Sequence, residues 1–124
     1  MARRSRPLTL DSNIFIAALK ADEPYSQRCR EILGRVPEAF ILAEPSIVYT
    51  EVCGTLARRI GPQVAAQAET HLDMAIHPRL LASCDRAFCA SSYPLCAQCG
   101  IYAIHAMYLK VAIQNGAVLA PLDK

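Results

Sequence analysis

The sequence has no long apolar run. Its hydrophobic residues make up 53% of the 124, yet nowhere do they approach the ~18 in succession that a membrane-spanning helix needs. It has no internal repeat, low-complexity tract or linker-like segment, so residues 1–124 read as a single domain. It lacks a charge excess of either sign: 13 Lys+Arg against 11 Asp+Glu gives +2. Three of those cations, Arg3, Arg4 and Arg6, lie in a basic N-terminal arm (1–6) that is expected to be disordered, and without them the balance is −1. Net charge alone therefore does not announce a nucleic-acid binder. The apolar content and 19% charged residues exclude long disorder.

The arginines followed by apolar residues mimic a signal peptide. Asp11 and Asn13 interrupt that run, and the stretch ALKADEPY is a poor cleavage region. The expected setting is the reducing cytoplasm, where Cys29, Cys53, Cys84, Cys89, Cys96 and Cys99 stay thiols. Four of them are spaced C-x4-C-x6-C-x2-C. One CxxC is present and no second close pair faces it, so buried apolar thiols compete with a zinc-stabilised domain as the reading.

Local patterning predicts strands at Leu8–Leu10, Ala39–Ala43, Leu80–Ser83 and Ala117–Ala120. Helices are predicted over Asn13–Leu19, from Tyr25 to Arg35 with Gly34 and Pro37 ending it, from Glu44 to Gly61 with Pro45 in its first turn, over Gln63–Ile76, and over Ile104–Gln114. A helix capped by Asp85 and stopped at Gly100 contains Pro94, which must kink or split it. Strands alternating with helices predict a mostly parallel sheet covered on both faces, a three-layer α/β/α domain.

Sites in such sheets lie beyond the carboxyl ends of the strands. Asp11 follows the first strand and Asp123 the last, while Glu51 sits two turns into the helix after the second strand on a half-buried face. Three converging carboxylates suit a hard divalent cation such as Mg²⁺ or Mn²⁺, which activates water against a phosphodiester. Each residue also has an ordinary reading: Asp11 as a helix cap, Glu51 as an ion-pair partner of Arg58, Asp123 as a solvated tail residue. Asn13 is open between orienting a phosphate and capping a helix, and the arginine arm between touching RNA and solvation.

The segment Asp11-Ser-Asn13-Ile-Phe-Ile resembles the opening motif of PIN-domain ribonucleases, and Ala21-Asp-Glu-Pro24 continues in that style. Glu51-Val-Cys-Gly-Thr-Leu-Ala-Arg58 is similar to their second acidic motif, and Gly116-Ala-Val-Leu-Ala-Pro-Leu-Asp123 to their final strand and fourth acid. The resemblance covers nearly the whole chain and lies closest to the toxins of VapBC-type toxin–antitoxin pairs. It implies a metal-dependent endoribonuclease acting on single-stranded or loop RNA, usually a homodimer, silenced by an antitoxin protein. There are two departures. The third acidic position falls on His105, a poor Mg²⁺ ligand that can bind Mn²⁺. The chain also ends one residue past Asp123, so a shortened C-terminal part is expected. These departures keep a second reading open, a PIN-like binding module that no longer cuts, with His105 a core histidine.

Overall fold

The structure, a computed structural model, describes residues 6–20, 22 and 24–120. Asp123, Arg3 and Arg4 lie outside them. In chain order the elements are β1 (Arg6–Leu10), α1 (Ser12–Leu19), α2 (Ser26–Leu33), β2 (Phe40–Pro45), α3 (Ile47–Arg59) and α4 (Pro62–Ala75). They continue with β3 (Ile76–Ala82), α5 (Arg86–Ser92), α6 (Pro94–Cys99), α7 (Ala103–Asn115) and β4 (Val118–Ala120). The strands pair in parallel throughout, in the order β3-β2-β1-β4.

Two cores flank this sheet. Along β2, Leu42 packs with one cluster and Ala43 with another, as the alternating faces of a strand require. The larger core takes Leu8 and Leu10 of β1, the apolar body of α1, and Val48, Val52 and Leu56 of α3. Those three recur every fourth residue, so one stripe of α3 is buried and its flank is left for polar residues. The smaller core holds Ala43, Phe88 and Val111, with Met107 packed against it. Helices therefore cover both faces, giving the expected α/β/α layering. No single helix among the described residues is long and apolar enough to cross a membrane.

Pro94 splits its segment, into α5 and α6. Asp85 caps α5 by accepting from the Phe88 amide at 2.9 Å. Gly100 and Gly116 end α6 and α7 with φ of 64° and 59°, the left-handed geometry that glycine adopts without a Cβ clash.

Local expectations fail in three places. Arg6 is not part of a free arm; it opens β1 and pairs with Phe40. Glu44 and Pro45 belong to β2, not to the next helix. Pro45 is in register with Ala82, and the Ser46 amide still donates to the Ala82 carbonyl at 2.8 Å, so pairing with β3 delays the helix to Ile47. Finally, β3 begins at Ile76 and absorbs Pro78. The sheet tolerates that proline because β3 is an edge strand, and a register shift against Leu42 and Glu44 takes up the irregular stretch.

Candidate active site

β1 carries the chain through the middle of the sheet and releases it at Asp11. The Asp11 amide donates to the Ala120 carbonyl of β4 at 3.2 Å, which ties the residue to the strand ends. Asp11 is the N-cap of α1, so capping falls to it and not to Asn13. Its Oδ1 accepts from the Asn13 amide at 3.1 Å and from the Ser12 hydroxyl at 3.2 Å. The carboxylate is thus buried and fixed through one oxygen. Its Oδ2 faces His105 Nε2 across 3.8 Å, an ion-pair distance too long for a hydrogen bond.

Glu51 stands beside the buried stripe of α3 and is half-buried. Its hydrogen-bond partner is Tyr108, whose hydroxyl donates to Glu51 Oε1 at 2.6 Å. Tyr108 is itself buried, and burial together with this bond to Glu51 pushes its hydroxyl well above the usual tyrosine range. It therefore stays protonated and keeps its proton for Glu51. His105 and Tyr108 are three residues apart on α7, hence on one face of the helix. That face addresses both acids.

Asp11, Asn13, Glu51 and His105 line one cavity of about 250 Å³, together with Ser12, Thr55, Arg58, Arg59 and Ile104. The His105 side chain is 52% exposed at its mouth, so the core-histidine reading fails. A larger groove of about 550 Å³ lies among α1, α2 and α4, with Phe15, Leu33 and Leu72 in its walls. No carboxylate lines it, so the acid chemistry belongs to the smaller cavity.

Glu44 was missed by sequence reasoning. Its side chain is completely buried, close enough to feel the charge of Asp11, and its Oε2 accepts from the Leu10 amide at 2.7 Å. The β1–β2 ladder runs from Arg6↔Phe40 to Leu8↔Leu42, and the carboxyl takes over the next strand amide. Its Oε1 has no hydrogen-bond partner. Burial raises the Glu44 carboxyl well above its ordinary value, the Leu10 bond opposes this, and the charge of Asp11 adds to it. The available signal was an acid flanked by Ala43 and Pro45 in an otherwise apolar run.

Among the described residues, no three His, Cys, Asp or Glu side chains lie close enough to hold a metal by themselves. Cys84, Cys89, Cys96 and Cys99 are free thiols and do not form a zinc cage. The open cavity, with two oxygen-rich acids and a histidine on its wall, fits a different kind of ion. Mg²⁺ and its relatives keep several waters and take one or two carboxylates plus substrate phosphates. Asp11 Oδ2 and Glu51 Oε2 are the oxygens available to such a hydrated ion, with His105 beside them.

Because Tyr108 orients Glu51, Tyr108→Phe is expected to cost about 1 kcal/mol of stability, one hydrogen bond's net worth. Chemical denaturation of wild type and variant checks this loss.

The model of the family described as PIN domain matches residues 8–124. Among solved structures, VapC20 of Mycobacterium tuberculosis, a sarcin–ricin loop cleaving toxin, superposes with a TM-score of 0.77 at 13% identity. The match covers 94% of this chain and 89% of that one. VapBC2 of Rickettsia felis, bound to a DNA fragment from its promoter, gives 0.57 at 16% identity, covering 94% and 99%. No curated protein matches the sequence.

Proposed function

The chain belongs to the PIN domain family, and from that premise we propose that it is a metal-dependent endoribonuclease, the toxin of a toxin–antitoxin pair. The observation that carries the reading is one cavity lined by Asp11 from the end of β1, Glu51 from α3 and His105 from α7. These residues are far apart in sequence, yet they bring two carboxylates and an imidazole to one cavity, a donor set that suits a hydrated divalent ion.

A bound Mg²⁺ or Mn²⁺ ion would supply an activated water and offset the charge building on the phosphorus oxygens. The protein's own residues do the rest. Asp11, fixed through Oδ1 by the α1 amide, holds its other oxygen in place. Tyr108 keeps Glu51 from rotating away. His105, half-exposed at the mouth, is placed to hold a water or carry a proton to the leaving oxygen. Asn13 Nδ2 is available to orient a phosphate oxygen beside the N-terminus of α1. Asp123 remains part of the proposed acid set on the family resemblance alone.

The proposal includes a homodimer, a small antitoxin partner and a cytoplasmic setting. The two structural relatives support the toxin and antitoxin parts, one being a cleaving toxin and the other a VapBC assembly; the homodimer and the cytoplasmic setting rest on the family resemblance. His105 in place of an acid favours a second reading, a domain that binds but no longer cuts. Incubating the protein with single-stranded RNA and Mn²⁺ decides between them. Cleavage that appears with metal and disappears in EDTA is expected. Intact RNA at millimolar Mn²⁺ would leave the binding module standing.

A further inference from the structure

We propose that the rim of the acidic cavity grips single-stranded RNA from two sides. Tyr102 stacks a base next to the scissile phosphate, and Arg58 with Arg59 holds a neighbouring backbone phosphate. The inference rests on the ribonuclease reading and adds the course of the substrate across the site.

On one side, Tyr102 is the N-cap of α7 and is 81% exposed. Its ring packs edge-on to His105, with centroids 6.2 Å apart and planes at 66°. The tyrosine thus has a fixed place against a cavity residue while most of its surface is in water. Ile104, also on the cavity wall, extends this apolar lip. An exposed aromatic beside a phosphate-cleaving pocket is the element on which an unpaired base stacks, irrespective of its identity.

On the other side, α3 presents Glu51, Thr55, Arg58 and Arg59 to the same cavity. Spacings of four, seven and eight residues put them along one helical face. Arg58 lies about 10 Å along the axis from Glu51, the reach of an adjacent phosphate when the scissile group sits at Glu51. Arg59 also lines the next depression, between the α1 and α3 C-terminal ends, so the cationic strip leads away from the acids. A polyanion crossing an acidic pocket needs such cations on its rim, because Asp11 and Glu51 alone repel it. Stacking on Tyr102 requires a splayed base, which selects single strands over duplex.

The test titrates a fluorescein-labelled, mixed-sequence single-stranded oligoribonucleotide against the protein in EDTA, which holds cleavage off. Tyr102→Ala is expected to weaken binding about tenfold and Tyr102→Phe to restore it, since stacking needs the ring and not the hydroxyl. Arg58→Gln is expected to reduce the slope of log K against log salt by about 0.7, one phosphate contact on a single strand. Tyr93→Ala, an exposed tyrosine that does not line the cavity, should bind like the wild type. Wild-type affinity in Tyr102→Ala, an unchanged salt slope in Arg58→Gln, or equal affinity for the duplex form overturns the grip alone. Failure of the wild type to bind any RNA at low salt, joined by failure to cleave it with Mn²⁺, removes the ribonuclease reading as well.

Discussion

Asp11→Asn is expected to lower RNA cleavage by more than about 100-fold while leaving the fold unchanged. The two halves of the expectation come from the two oxygens of the side chain. Oδ1 is structural: it accepts from the Asn13 amide and the Ser12 hydroxyl at the start of α1. Asparagine caps helices as well as aspartate does, and its carbonyl oxygen keeps both bonds. Oδ2 faces the cavity across from His105, and there the substitution replaces an anionic oxygen by an amide nitrogen that repels a cation. Losing even an outer-shell partner of a metal typically costs 10–100-fold, so losing a direct carboxylate should exceed that range. Thermal unfolding and cleavage rate, measured on the same preparation, check both halves. Equal cleavage by wild type and variant would remove Asp11 from the catalytic assignment, and a large fall in melting temperature would make the loss of rate a folding defect.

The acids that the chain's local pattern exposed were those attached to local structure. Leu8–Leu10 is a compact apolar run broken by Asp11, and a strand followed by a capping acid needs only neighbouring residues to specify it. Glu51 was legible because Val48, Val52 and Leu56 mark a buried stripe with Glu51 on its flank. What stayed hidden depended on pairs remote in sequence. The bond from Tyr108 to Glu51 spans 57 positions. It was obscured by α7, whose buried residues Ala106, Tyr108, Val111 and Ala112 fall on more than one side of the helix and give no clear face. His105 could be a core residue or a mouth residue by sequence alone, and only packing against Asp11 and Tyr102 places it at the mouth. Glu44 went astray for the same reason. A proline after an acid reads locally as a helix start, and the competing signal was strand pairing with Ala82, 37 residues beyond Pro45.

That misread residue gives the second large expectation. Glu44→Gln should stabilise the protein at neutral pH, because the acid loses about 1.4 kcal/mol of stability for each pH unit over which the unfolded chain ionises and the folded carboxyl does not, and the amide loses none. The gain should be strongly pH-dependent. Glu44 is completely buried, with Oε2 satisfied by the Leu10 amide and Oε1 unsatisfied. The groups acting on it are that amide, which favours the charged form, and Asp11, which opposes it; Tyr108 in turn feels the Glu44 charge. Burial is the largest influence and holds the folded carboxyl well above the ordinary 4.5. Below that ordinary value both folded and unfolded chains carry the proton, and nothing is lost on folding. As pH rises through it, the unfolded chain ionises while the folded carboxyl stays neutral, so stability declines until pH passes the folded value. Glutamine keeps an oxygen for the Leu10 amide and has no charge to lose, so its stability lacks this decline. Denaturant titrations of both proteins from pH 4 to pH 8 should therefore converge at the acid end and separate steadily towards neutrality, with the variant higher. A constant offset across that range would mean that the Glu44 carboxyl titrates alike in both states, and a variant less stable at pH 8 would mean that its ionised form has a partner in the fold.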